Sequence, residues 1–180
     1  MTALQLLGLK HTGKSSLGRL WAQRFGWDFY DLDHLLETQA GGARTSRQIF
    51  LDEGKTGFQQ HETRAARFIA NRLAQGRAVL AWGGGTVTNS LAVEALRPAG
   101  TLILLTDRCE VLYERILRGG LPAFLSADRP WEDFQDLYRE RTALLEALTP
   151  YRVDLNGMTV DRAFEELQTL WNTIPQPGNS

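Results

Sequence analysis

The sequence predicts an α/β fold, a parallel sheet with helices on both faces, in one domain over residues 1–174. Two observations carry that expectation. Short apolar runs alternate along the chain with longer amphipathic ones. The first apolar run also passes through a glycine-rich loop directly into a helical pattern. The 180 residues suffice for a sizeable core.

Each element follows in order. Ala3–Leu7 is the first strand, apolar and stopped by Gly8. Residues 16–25 read as a helix with Leu17, Leu20, Trp21 and Phe25 on one face. Asp28–Asp31 is the second strand, and residues 58–74 carry Phe58, Ala65, Phe68, Ile69 and Leu73 at helical spacing. Residues 78–82 form the third strand, ending in Gly83-Gly84-Gly85. Thr101–Thr106 is apolar on both faces, as a central parallel strand should be. Helical spacing returns over 110–117 and 131–148, separated from a last helix at 160–171 by a strand at 151–155. Residues 175–180 form a polar tail expected to fray.

Composition narrows the function classes. Twenty basic residues against 21 acidic ones leave a net charge of −1, without the basic excess that nucleic-acid binding usually shows. Only Lys10, Lys14 and Lys55 are lysines. The single cysteine, Cys109, excludes an internal disulfide and a cysteine-rich metal cluster, and suits a reducing cytoplasm. No apolar run reaches the length of a membrane span, and the N-terminus lacks the pattern of a signal peptide. A monomer is expected at this size.

Between the first strand and first helix lies Gly8-Leu-Lys-His-Thr-Gly-Lys14-Ser15, which fits G-x-x-x-x-G-K-[ST] in the strand–loop–helix setting that gives it meaning. Glycines let backbone N–H groups converge on phosphate oxygens, and the helix N-terminus adds partial positive charge. Gly8, Lys10, His11, Thr12, Gly13, Lys14, Ser15 and Ser16 are therefore the expected nucleotide-binding set. Lys14 would reach the terminal phosphates and Ser15 would ligate Mg²⁺. The motif does not require the His11 imidazole. His34 and His61 are isolated and have no metal-ligand spacing.

Asp31 and Asp33 flank Leu32 at the end of the second strand, and alternation would put both carboxylates on one side. Ligands of open parallel sheets sit beyond the carboxyl ends of the strands. One Asp would serve a Mg²⁺-bound water and the other would accept a hydroxyl proton. The alternative is structural, with Asp33 as the N-cap of a helix that starts at Leu35. Gly83-Gly84-Gly85 at the same sheet edge suits a substrate floor made of backbone groups.

The order of these motifs resembles shikimate kinase, a family of P-loop kinases related to nucleoside monophosphate kinases. The resemblance spans residues 4–167. It rests on the Gly8–Ser15 loop, Phe29-Tyr-Asp31-Leu-Asp33, Ile49-Phe-Leu-Asp-Glu-Gly54 before Phe58 and Glu62, Gly83-Gly-Gly-Thr-Val-Thr88, and Arg141 before Tyr151-Arg-Val-Asp154. It implies a three-layer P-loop kinase fold with a five-stranded parallel sheet and a mobile lid. It also implies MgATP as donor, a small hydroxylated acceptor and, by default, formation of shikimate 3-phosphate for aromatic amino acid biosynthesis.

By position, the resemblance makes Lys14 and Asp33 catalytic and puts Asp31 with Ser15 at the metal. It gives the acceptor Asp33, Phe58, Gly83, Gly84, Gly85 and Arg141, with residues 45–58 in the acceptor region and Gln59 expected to assist at the acceptor. Arg115 and the loop after Leu155 fall at adenine-contacting positions.

Two departures stand out. The family usually has an arginine after Phe58 to hold the acceptor carboxylate; this chain has Gln59. The usual lid arginine is replaced by Leu121 or Phe124, depending on alignment, leaving Arg118 as a substitute phosphate contact. A charged hydrogen bond contributes about 1.5–3 kcal/mol, so neutral Gln59 leaves open a different hydroxylated acceptor. A further alternative is a nucleotide-binding regulatory protein without transfer activity.

Overall fold

A computed structural model describes residues 3–121 and 125–175. Phe124 and nearly all of the expected C-terminal tail lie outside the described residues. Five parallel strands form one sheet: β1 (Ala3–Leu7), β2 (Asp28–Asp31), β3 (Ala78–Ala81), β4 (Thr101–Thr106) and β5 (Arg152–Asp154). Their spatial order is β2-β3-β1-β4-β5. Pairing aligns Leu6 with Ala81 and Ile103, and Asp31 with Ala81. The carboxyl ends of β1, β2 and β3 therefore share one edge, so the glycine loop, Asp31 and the glycine triplet meet there.

Alternation along β1 sends Ala3 and Leu7 to one core and Leu4 and Leu6 to the other. The first core packs against α3 (Ser46–Leu73) and α4 (Ser90–Leu96) through Ile49, Ala65, Ile69, Ala92 and Leu96. The second packs against α1 (Lys14–Phe25) and α7 (Val160–Thr173) through Leu17, Trp21, Phe164, Leu167 and Trp171. Each such large apolar side chain contributes roughly 1.5–3 kcal/mol on burial. Gln5 is the polar exception on the central strand. It is fully buried, donates to the Leu96 carbonyl at 2.8 Å and accepts from Trp82 Nε1 at 2.8 Å.

The tryptophans serve the interior. Trp21, Trp82 and Trp171 are buried, and Trp27 packs edge-on against both Trp21 and Trp171. Gly18 is what lets α1 approach the sheet, because a Cβ there would lie 2.6 Å from the Phe29 ring. Gly18→Ala is expected to destabilise by about 1–3 kcal/mol, despite alanine's higher helix propensity. A thermal melt of the variant checks this.

Helix boundaries depart from the expectation in four places. α1 starts at Lys14, inside the glycine loop, rather than at residue 16. α3 starts at Ser46 behind a Thr45–Gln48 capping box, and a non-helical Gly54 (φ 68°) kinks it before Phe58. Its first half is exposed over residues 51–56, so it carries no apolar stripe to read. The helices α2 (Leu32–Gln39) and α4 are only 8 and 7 residues long, too short for periodicity to mark them. The remaining helices are α5 (Cys109–Leu117) and α6 (Pro130–Glu146). Among the described residues, no helix is long and apolar enough to cross a membrane.

Candidate active site

The loop after β1 is shaped by its glycines. Gly8 has φ 148°, and a Cβ there would lie 2.5 Å from the Leu105 carbonyl oxygen and 2.8 Å from Thr12 Oγ1. Gly13 takes a left-handed conformation (φ 89°) to start α1. His11 is also left-handed (φ 66°). Its carbonyl accepts a 3.1 Å hydrogen bond from Arg115, which pairs at 3.1 Å with the buried Asp107 carboxylate. Asp107 also accepts from the Gly157 N–H at 3.2 Å, so Arg115 and the turn after Leu155 meet on one carboxylate. Partial desolvation, with the positive charges of Lys10, Lys14 and Arg115 nearby, lowers the His11 pKa.

Lys14 is 7% exposed and folds back on the loop, donating to the Leu9 carbonyl at 2.7 Å and to Thr12 Oγ1 at 3.5 Å. Burial lowers its pKa to about 8, against the raising fields of Asp33 and Asp31. Ser15 Oγ donates to Asp31 Oδ2 at 2.5 Å. Asp31 Oδ1 accepts from the N–H groups of Asp33 and His34 at 3.1 and 3.4 Å. Asp31, not Asp33, is thus the N-cap of α2. Helix starts immediately after β2, so the two carboxylates meet through a cap and first turn, not through strand alternation.

With the capping task taken by Asp31, the Asp33 carboxylate faces the glycine triplet. A Cβ on Gly83 would lie 2.6 Å from Asp33 Oδ1. Burial raises the Asp33 pKa to about 6, Asp31 adds to the rise, and Lys14 opposes it. On the next residue, Arg141 Nη1 from α6 donates to the Gly84 carbonyl at 3.2 Å. A Cβ on Gly85 would lie 3.6 Å from that guanidinium. Burial lowers the Arg141 pKa.

A buried network supports this floor and was not singled out from sequence. Glu62 is 2% exposed and accepts from Thr86 Oγ1 at 2.6 Å and from Asn89 Nδ2 at 2.9 Å. Asn89 Nδ2 also donates to the Gln59 carbonyl at 2.9 Å, joining α3 to the turn after the triplet. Only Glu62's spacing from Phe58 hinted at it. Burial raises the Glu62 pKa, and the two hydrogen bonds oppose the rise.

The structure brings Gly8, Thr12, Gly13, Lys14, Ser15, Asp31, Asp33, Gly83, Gly84, Gly85 and Arg141 to one edge. Ser16, like Lys10 and His11, is exposed there. Phe58 is half-buried, with its ring 6.0 Å from Phe50 in an edge-on pair. The Gln59 amide is committed elsewhere, donating to the Thr88 carbonyl at 3.1 Å. Arg118 ends α5 and is exposed, as is Leu121; among the described residues no hydrogen bond or ion pair draws either onto the loop.

Chemically, the edge offers a glycine loop of the kind that can cradle phosphate, a buried ammonium, a carboxylate able to take a proton near neutrality, and a guanidinium over a backbone floor. Ser15 and Asp31 supply two hard oxygen donors side by side. No group of three or more His, Cys, Asp or Glu among the described residues could enclose a metal. Two protein oxygens fit Mg²⁺, which keeps waters and takes phosphate oxygens for the rest.

The family model described as shikimate kinase matches residues 11–171. A shikimate kinase from Acinetobacter baumannii is 31% identical over 168 residues, covering 93% of this chain and 91% of that protein. One from Symbiobacterium thermophilum is 42% identical over 116 residues, which span 64% of each chain. Among solved structures, the shikimate kinase from Acinetobacter baumannii in complex with shikimate superposes with a TM-score of 0.84 at 29% identity. The match covers 97% of this chain and 96% of that one.

Proposed function

The chain belongs to the shikimate kinase family, and from that premise we propose that this site transfers the γ-phosphoryl group of ATP to a hydroxyl of shikimate. The observation that carries the reading is the convergence on one sheet edge of Lys14, Asp33 and the Arg141-backed glycine floor. Phosphate chemistry, proton acceptance and carboxylate binding need those three parts in that order across a small molecule.

The loop N–H groups hold the β- and γ-phosphates, and Lys14 turns from the Leu9 carbonyl to neutralise the charge that builds there. Ser15 and Asp31 hold Mg²⁺, which supplies charge neutralisation on the phosphate oxygens when bound. Asp33 takes the hydroxyl proton as the new O–P bond forms and the bond to the β–γ bridging oxygen breaks, releasing ADP. Gly84 and Gly85 let the acceptor lie against backbone, and Arg141 grips its carboxylate. We place the reaction in the cytoplasm. The lone thiol, Cys109, is unreactive there, because burial and Glu110 push its pKa to about 11.

ADP release with shikimate and MgATP is expected to run well above the rate without acceptor. A rate equal to that background would sink the reading. Gln59→Arg adds a guanidinium beside the floor, and the shikimate KM is expected to fall by about tenfold or more with little change in kcat, as a charged hydrogen bond of 1.5–3 kcal/mol requires.

A further inference from the structure

Lys10 occupies an unusual point on the glycine loop. A Cβ placed on Gly84 would meet the Lys10 backbone nitrogen at 2.8 Å, its Cα at 3.1 Å and its Cβ at 3.1 Å. The loop residue and the floor residue are therefore stacked against each other, and the Lys10 stem leaves from the seam between phosphate cradle and acceptor floor. Lys10 is exposed, and among the described residues no hydrogen bond or ion pair engages its ammonium. Its field nonetheless reaches both halves of the site, acting on Asp33 on one side and on Lys14 and His11 on the other.

The other cations reach the site from elsewhere: Lys14 from the buried side of the loop beside the Leu9 carbonyl, Arg141 from beneath the floor at the Gly84 carbonyl, and Arg115 from the far side of the loop, where it is tied to Asp107. A phosphoryl group in transit from the cradle to the floor crosses the seam where Lys10 begins.

We propose that Lys10 is a catalytic cation that pairs with the non-bridging oxygens of the γ-phosphoryl group as it crosses from the glycine loop to the Gly84 floor. The inference rests on the phosphoryl-transfer reading above. In the transfer, the acceptor oxygen bonds to phosphorus, the bridging P–O bond to ADP breaks, and the acceptor proton goes to Asp33. The Lys10 ammonium keeps its protons and supplies charge and hydrogen bonds to the three oxygens that stay on phosphorus. Such a contact strengthens as the group is transferred, so its loss falls on kcat more than on nucleotide KM.

The test compares MgADP with MgADP plus beryllium fluoride, a γ-phosphoryl mimic, by calorimetry and without acceptor. In the wild type, fluoride tightens nucleotide binding. In Lys10→Met, MgADP affinity is expected to stay within about twofold while the fluoride-dependent gain shrinks by about tenfold, and Lys10→Arg retains most of the gain. The kcat of Lys10→Met is expected to fall about 10²-fold. No gain in the wild type would overturn the pairing of Lys10 with a γ-phosphoryl group at the loop, while ADP release with shikimate decides the phosphoryl-transfer reading separately. An equal gain in wild type and Lys10→Met would overturn the role of Lys10 alone. So would a Lys10→Met defect confined to shikimate binding in the MgADP complex, which would assign the ammonium to the acceptor carboxylate.

Discussion

Asp33→Asn is expected to lower kcat by about 10²- to 10⁴-fold while raising thermal stability. The loss of rate follows from removing the proposed proton acceptor at the Gly83 floor, since the amide keeps shape but has no basic oxygen. The gain in stability follows from the raised pKa. Asp33 titrates at about 6 in the folded chain against an ordinary value of 3.8. Above pH 6 the fold holds an ionised carboxylate in a poorly solvated place, which costs up to about 3 kcal/mol.

The sign is opposite to that of a salt-bridged carboxylate. The cost is full above pH 6, shrinks as pH falls from 6 to about 4, and is gone below that, where the folded and unfolded forms are both neutral. Urea unfolding at pH 7.5 should show the variant more stable than wild type, with the gap closing at pH 4.5. Wild-type kcat/KM should fall below about pH 6 as Asp33 protonates. Lower stability of the variant at pH 7.5, or a rate within tenfold of wild type, would refute this role.

How much of this was legible in the sequence varies with the kind of signal. β1, β3 and β4 are apolar on both faces, and α1, α5, α6, α7 and the second half of α3 carry stripes at helical spacing. The glycine loop was legible because its chemistry is local: backbone N–H groups and Lys14 within eight residues. α2 and α4 were not, because a two-turn helix offers too few positions for a period. The first half of α3 buries only Ile49 fully and is otherwise held by a capping box and by polar and ionic contacts such as Ser46 to Glu37 and Arg44 to Glu53, which leave no apolar period. The capping role went to the wrong aspartate for a related reason. Asp31 and Asp33 both precede helix-forming residues, and only the immediate start of α2 after β2 decides between them. Glu62 and Thr86 stand in the quoted motifs, but their bonding was not legible, since Glu62 on α3 lies 24 and 27 residues from Thr86 and Asn89 in the turn it meets.

Lys14→Met is the second large effect, and its two halves have the same logic. Lys14 is buried in the loop, and its pKa is about 8 instead of 10.5. Below pH 8 the ligand-free fold therefore holds an ammonium it would better solvate outside, at a cost of about 3 kcal/mol that disappears as pH rises from 8 to 10.5. Its hydrogen bonds to the Leu9 carbonyl and Thr12 hydroxyl offset only part of that burial. A bound phosphate reverses the balance, because an anion beside the ammonium favours its charged form. The free-enzyme kcat/KM should thus decline above about pH 8, while kcat, measured with nucleotide bound, should hold to higher pH. Met fills the stem's volume without charge. The variant is expected to lose about 10³-fold in kcat/KM for MgATP and to melt no lower than wild type without ligand. MgATP should raise the wild-type melting temperature through linkage and leave that of the variant nearly unmoved. A melting shift of equal size in both proteins would show that the ammonium never turns from the Leu9 carbonyl to the phosphates, and the assignment of Lys14 would fall.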